Sequence, residues 1–134
     1  KLMEEPVIKY ATSDYCSIDE FETVKNAVSK MVKSNFTEAY VLTDDQKFLG
    51  KIIITNLISA PENDAALTHA ANNPLLLNPE LSVLQSIEAC RTFVGESIPI
   101  LDSKLKEFKG VISEADLFSA YLDLDKQIKD LENG

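Results

Sequence analysis

Residues 108–119 read "FKGVISEADLFS", and residues 48–59 read "FLGKIIITNLIS". The two stretches align without a gap at one offset, 110 − 50 = 60, matching Phe, Gly, the Asn56/Asp116 pair, the following Leu and the closing Ser. Upstream, "TVKNAVSKM" (Thr23–Met31) aligns with "SVLQSIEAC" (Ser82–Cys90) at 82 − 23 = 59, so one residue is gained before the glycine. Duplication at a fixed period means that one supersecondary unit occurs twice, each copy leaving a face for the other to cover.

Both copies read alike. An extended lead-in (Tyr15–Cys16; Leu75–Leu77) precedes an amphipathic helix. The first helix is predicted to start near Asp19, with Asp19, Glu20 and Glu22 early and Lys25, Lys30 and Lys33 late, as the helix dipole favours. The second is predicted from Asn78 as cap and Pro79 as first residue to Gly95. Two β-branched runs around a polar turn follow: "AYVL" and "KIIIT" around "TDDQKFLG", then "IPIL" and "GVIS" around "DSKLKEFK". A closing helix is predicted at Asn56–Ala60 and from Asp116 onward. The fold class is therefore α/β (α+β): two β-α-β-β-α repeats packed sheet to sheet about a pseudo-two-fold, plus a C-terminal helix. The boundaries are 1–60 for the lead-in and first repeat, 61–74 for a linker, 75–122 for the second repeat and 123–134 for a helical extension. The linker, "PENDAALTHAANN", is predicted to hold a helical turn. Leu117, Tyr121, Leu124, Ile128 and Leu131 form an apolar stripe for intradomain packing or a dimer partner.

The duplicated register resembles a tandem pair of CBS domains, a Bateman module. "ESIPILDSKLKEFKGVISEADL" is similar to that family's apolar-Pro-Val-Val, turn, Gly-apolar-apolar-Thr-x-x-Asp-Leu signature at Pro99, Gly110, Ser113, Asp116 and Leu117. "EAYVLTDDQKFLGKIIITNLI" keeps the frame without the polar residues. The resemblance implies a non-enzymatic regulatory module that binds AMP, ADP or ATP and adjusts an attached transporter, channel or enzyme. The stretch "FVGESIPIL…GVISEADLFSAYL" looks most like the cytosolic tails of the chloride channel/transporter (CLC) family. That likeness implies a membrane transporter domain outside this chain, a cytoplasmic position beside an inner or plasma membrane, and a homodimer. The opening Lys1, in place of a start Met, fits a piece of a longer protein. The alternative is a ligand-free dimerisation scaffold, to which the degraded first copy and the apolar stripe point.

Ser113 and Asp116, three apart at a predicted helix start, have two readings. They can form a capping box, or they can serve a nucleotide, since a carboxylate can accept from both ribose hydroxyls while a hydroxyl and free helix amides meet phosphate. In the family the Asp takes the ribose and the Thr/Ser approaches phosphate. The first copy has Ile53 and Asn56 instead, which predicts one ligand per module. The resemblance places the base near Tyr15, Phe36, Thr37, Leu77, Ile98 and Pro99, with Phe36 as the stacking aromatic or, equally, a core residue.

Composition closes other routes. Net charge −9 and pI near 4.5 disfavour nucleic acid. Cys16 and Cys90 are too few for a disulfide framework and read as buried thiols. His69, the only histidine, has no metal-ligand spacing around it, and neither a nucleophile elbow nor a glycine-rich phosphate loop is present. Lys104, Lys106 and Lys109 read as a solvated turn. No apolar run approaches the roughly 20 residues of a membrane span.

Overall fold

The computed structural model describes residues 4–133, which divide into two compact units. The repeat-one unit comprises residues 14–74 with the turn 102–108; the repeat-two unit comprises residues 4–13, 75–101 and 109–133.

In the repeat-one unit, β1 (Cys16–Asp19) runs parallel to β2 (Glu38–Leu42), which pairs antiparallel with β3 (Phe48–Ile53). Every residue of β2 is buried, as expected of a central strand covered on both faces. Helix α1 (Val24–Ser34) sets Val24, Ala27 and Met31 against Ala39, Val41 and Ile52 of the sheet. It starts later than the sequence predicts. The Asp19 carboxylate accepts from the Phe21 amide at 2.8 Å, closing an Asx turn, and Thr23 is the cap, accepting from the Asn26 amide at 3.2 Å. Asn35 ends α1 at φ 62°, its amide reaching the Met31 and Val32 carbonyls. Helix α2 (Ile54–Ile58) begins two residues before the predicted Asn56, because the Thr37 carbonyl takes the Ile54 amide at 2.9 Å.

The repeat-two unit follows the same plan with a weaker lead-in. Leu77 makes an isolated parallel bridge to Ile100 in β4 (Ile98–Leu101), which pairs with β5 (Phe108–Ile112). Helix α3 (Val83–Ala89) corrects the prediction at both ends: Asn78 makes an Asx turn to the Glu80 amide, and Gly95 lies in the loop beyond the helix. The cap is Ser82, which accepts from the Gln85 amide at 3.1 Å while Gln85 Oε1 accepts from the Ser82 amide at 2.9 Å. This complete capping box satisfies two helix-end donors at once, which Asn78 cannot match. Helix α4 (Glu114–Asn133) runs unbroken through the predicted boundary at 123. Its stripe buries Leu117 and Leu124, half-buries Tyr121 and Ile128, and leaves Leu131 exposed.

Each unit also takes in the segment that precedes the other repeat. Residues 4–13, with a 3-10 turn at Val7–Tyr10, lie in the repeat-two unit; the segment with the 3-10 turn Ala66–His69, the helical turn expected of the linker, lies in the repeat-one unit. Their bonds match one for one. The Val7 amide donates to the Leu81 carbonyl at 2.7 Å and Ala66 to Glu22 at 2.9 Å; Val83 donates to Glu5 at 3.2 Å and Val24 to Asp64 at 2.8 Å. These segments also cover strand edges: Thr12 and Val111 exchange amide–carbonyl bonds, and the Ala71 amide donates to the Lys51 carbonyl. Gly110 is obligatory in this packing, since its φ is 131° and a Cβ there would lie 2.9 Å from the Thr12 oxygen.

Candidate functional site

The eight residues expected at a nucleotide site fall five in one unit and three in the other. Leu77, Ile98, Pro99, Ser113 and Asp116 belong to the repeat-two unit; Tyr15, Phe36 and Thr37 belong to the repeat-one unit.

In the repeat-two unit, β5 delivers the chain to the start of α4, where Ser113 Oγ accepts from the Asp116 amide at 3.0 Å. The Ser113 carbonyl takes the Leu117 amide at 3.0 Å, so the helix is anchored on the serine. Asp116 is exposed, and among the described residues no hydrogen bond or ion pair engages its carboxylate. The cap is thus one-sided, unlike the reciprocal Ser82/Gln85 box of α3. A free carboxylate, a serine hydroxyl and the first amides of a twenty-residue helix share one spot, which can accept hydroxyls and donate to an anion.

The wall residues contribute less. Leu77 and Ile98 are fully buried in the unit's apolar cluster, and Pro99 is buried too. Leu77 is held through its backbone, its amide donating to Pro99 and its carbonyl accepting from Leu101, both at 3.0 Å. Cys90, in the same cluster, has its thiol pKa raised, first by burial and then by the Glu114 carboxylate.

In the repeat-one unit, Phe36 is half-buried against the core at the end of α1, its amide donating to Met31 at 2.9 Å. Tyr15 lies edge-on to Phe108 at 4.9 Å and to Tyr40 at 6.3 Å. Phe48 and Phe108, matched by the repeat, stack with a 12° interplanar angle at 6.3 Å. They flank matched turns in which the Phe48 amide donates to Lys106 and the Phe108 amide to Gln46. Thr37 is exposed, with its carbonyl capping α2. The position matching Ser113 is Ile53, which gives α2 no side-chain cap, and Asn56 is exposed.

Sequence reasoning missed one pair. Lys51 Nζ lies 3.1 Å from Glu38 Oε1, with the two residues only 3% and 6% exposed. The signal was a charge inside each apolar run, "EAYVL" and "GKIII", where the second copy carries Ile98 and Val111. Elsewhere, His69 Nε2 meets Asp64 Oδ2 at 2.9 Å, Cys16 and Cys90 are free and buried, and among the described residues no cluster of three His, Cys, Asp or Glu could hold a metal.

Residues 2–63 match the family model of the CBS domain. A CBS domain pair/ACT domain protein from Thermotoga maritima superposes with a TM-score of 0.75 at 18% identity, over 88% of this chain and 97% of that one. The fold is that of a CBS domain pair. Two further similar structures carry nucleotides. CBSX2 in complex with AMP has a TM-score of 0.74 at 13% identity, over 90% of this chain and 98% of that one. The cytosolic domain of the Mg2+ channel MgtE in complex with ATP has a TM-score of 0.71 at 13% identity, over 81% of this chain and 46% of that one. No curated protein matches the chain in sequence. Among the described residues no helix is long and apolar enough to cross a membrane.

Proposed function

We propose that this CBS pair is a regulatory module that binds one adenosine nucleotide at the start of α4. Asp116 takes the ribose hydroxyls, and Ser113 with the adjacent helix amides meets the phosphate. The supporting observation is the uncommitted Asp116 carboxylate beside a cap that Ser113 completes without it. Ile53 and Asn56 at the matched positions of repeat one give a stoichiometry of one.

The module acts on a covalently attached partner, a membrane transporter or channel, from the cytoplasmic side. The cytosolic domain of a magnesium channel solved with ATP supports that class of partner. Attachment to a chloride transporter rests on the sequence likeness of residues 93–122 alone. Regulation requires that the nucleotide bind two arrangements of the module with different affinity. Calorimetric titration of the chain with AMP, ADP and ATP tests the reading. One site is expected for at least one nucleotide, weakened tenfold or more by Asp116→Ala. Silence with all three, or affinity unchanged by Asp116→Ala, refutes it.

A further inference from the structure

The start of α4 is held from outside the helix as well as by its own cap. Residues 4–13 form a strap tied at two places within the repeat-two unit. At the entry to α3, the Val7 amide donates to the Leu81 carbonyl and the Val83 amide to the Glu5 carbonyl. At the edge of β5, the Thr12 amide donates to Val111 at 2.8 Å and the Val111 amide to Thr12 at 3.1 Å. Val111 stands two residues ahead of Ser113, whose hydroxyl and carbonyl take the Asp116 and Leu117 amides.

Apolar packing joins the same points. Val7, fully buried, shares a cluster with Ile112 and Leu117, and Ile8, Tyr10 and Ala11 pack against it. Tyr10 also packs against Val83, Ala120 and Leu124. The strap therefore bears both on the strand that delivers Ser113 and on the helix that carries Asp116. Its attachment is unusual. Residue 14 already belongs to the repeat-one unit, and the strap's own unit resumes only at residue 75. Noncovalent contacts alone hold residues 4–13 in place, whereas the matched segment ending at Ala71 continues from α2 inside one unit. A segment held in this way can open locally without global unfolding.

Resting on the nucleotide reading of Ser113 and Asp116, we propose that docking of residues 4–13 is linked to nucleotide occupancy at the start of α4. The docked strap sets the high-affinity arrangement of that site and the released strap the low-affinity one, which supplies the two arrangements that regulation requires. By reciprocity, the nucleotide tightens the strap by the factor by which the strap tightens the nucleotide.

Thr12→Pro removes the amide that Val111 accepts, and Thr12→Ala keeps it. Ala71→Pro makes the matched change in repeat one, where the Ala71 amide donates to Lys51. Amide hydrogen exchange on the full chain reads the strap at Val7 and the helix start at Asp116 and Leu117, with far-UV circular dichroism to check folding. Without nucleotide, Thr12→Pro is expected to speed exchange at all three about threefold to tenfold over Thr12→Ala, and Ala71→Pro to leave them unchanged. In calorimetry, Thr12→Pro is expected to weaken the tightest of AMP, ADP and ATP by a similar factor, and that nucleotide to slow Val7 exchange in the wild-type chain. If Thr12→Pro does not fold, Val7→Ala, which trims the strap without touching β5, carries the same expectations. Faster exchange at Val7 with Asp116 and Leu117 unchanged overturns the proposal. So does equal nucleotide affinity in Thr12→Pro and Thr12→Ala, an outcome that leaves the one-site reading standing. Silence of the wild-type chain toward all three nucleotides overturns both.

Discussion

Replacing Glu38 and Lys51 tests how the repeat-one sheet tolerates a charge pair where its sister has Ile98 and Val111. At 3.1 Å and an effective dielectric of about 20, the pair's attraction is about 5 kcal/mol. Desolvation costs several kcal/mol per ion and offsets most of that. Removing one partner leaves the other charge buried, so Glu38→Ile and Lys51→Met are each expected to cost about 3–5 kcal/mol. Together they leave an apolar contact of nearly conserved volume, and the double variant is expected to lie within about 1 kcal/mol of wild type or above it. Urea unfolding of the four proteins, followed by far-UV circular dichroism, gives the cycle. Additive losses in the double variant, or single variants within about 0.5 kcal/mol of wild type, would refute the reasoning.

Three further outcomes follow from the geometry. Gly110→Ala meets both a positive φ and a carbonyl at 2.9 Å, so it is expected to cost about 1–3 kcal/mol and more than Gly50→Ala, whose nearest neighbour is the Ala70 methyl at 3.0 Å; urea midpoints compare them. Ser82→Ala and Ser113→Ala each remove a helix cap and are expected to cost about 1 kcal/mol, whereas exposed Asp116→Ala is expected to change stability by less than about 0.5 kcal/mol while weakening nucleotide binding. The folded Cys90 thiol is raised above its unfolded value, so the native state holds that proton more tightly. Its contribution is full below about pH 8.5 and declines as pH rises through the folded value, and Cys90→Ala is expected to flatten that alkaline slope in thermal melts.

The strands, turns and duplication are legible in the sequence because they follow local periodicity and a constant offset. Helix starts mislead wherever an Asx turn imitates a cap, as at Asp19 and Asn78, while the true caps Thr23 and Ser82 occupy matched positions in the aligned stretches. Ser113 and Asp116 stand out in sequence by chemistry and spacing, but only the geometry separates the serine's capping role from the free carboxylate. The Glu38–Lys51 pair and the exchanged lead-ins escape sequence reading. Both depend on pairings across strands or far along the chain, which no window of neighbouring residues encodes.

The exchange of lead-ins has a consequence for the order of synthesis. Apart from the turn 102–108, the repeat-one unit is one continuous stretch, residues 14–74, and can assemble as soon as that stretch exists. The repeat-two unit joins residues 4–13 to segments far along the sequence, with Thr12 pairing to Val111 across 111 − 12 = 99 residues. Residues 4–13 are therefore synthesised well before the strand residues around Val111 that they pair with. Until then they hold Val7 and Ile8 uncovered, and the edge of β5 stays open until they dock. The slow, loop-closing step of folding is thereby assigned to the unit that carries Ser113 and Asp116.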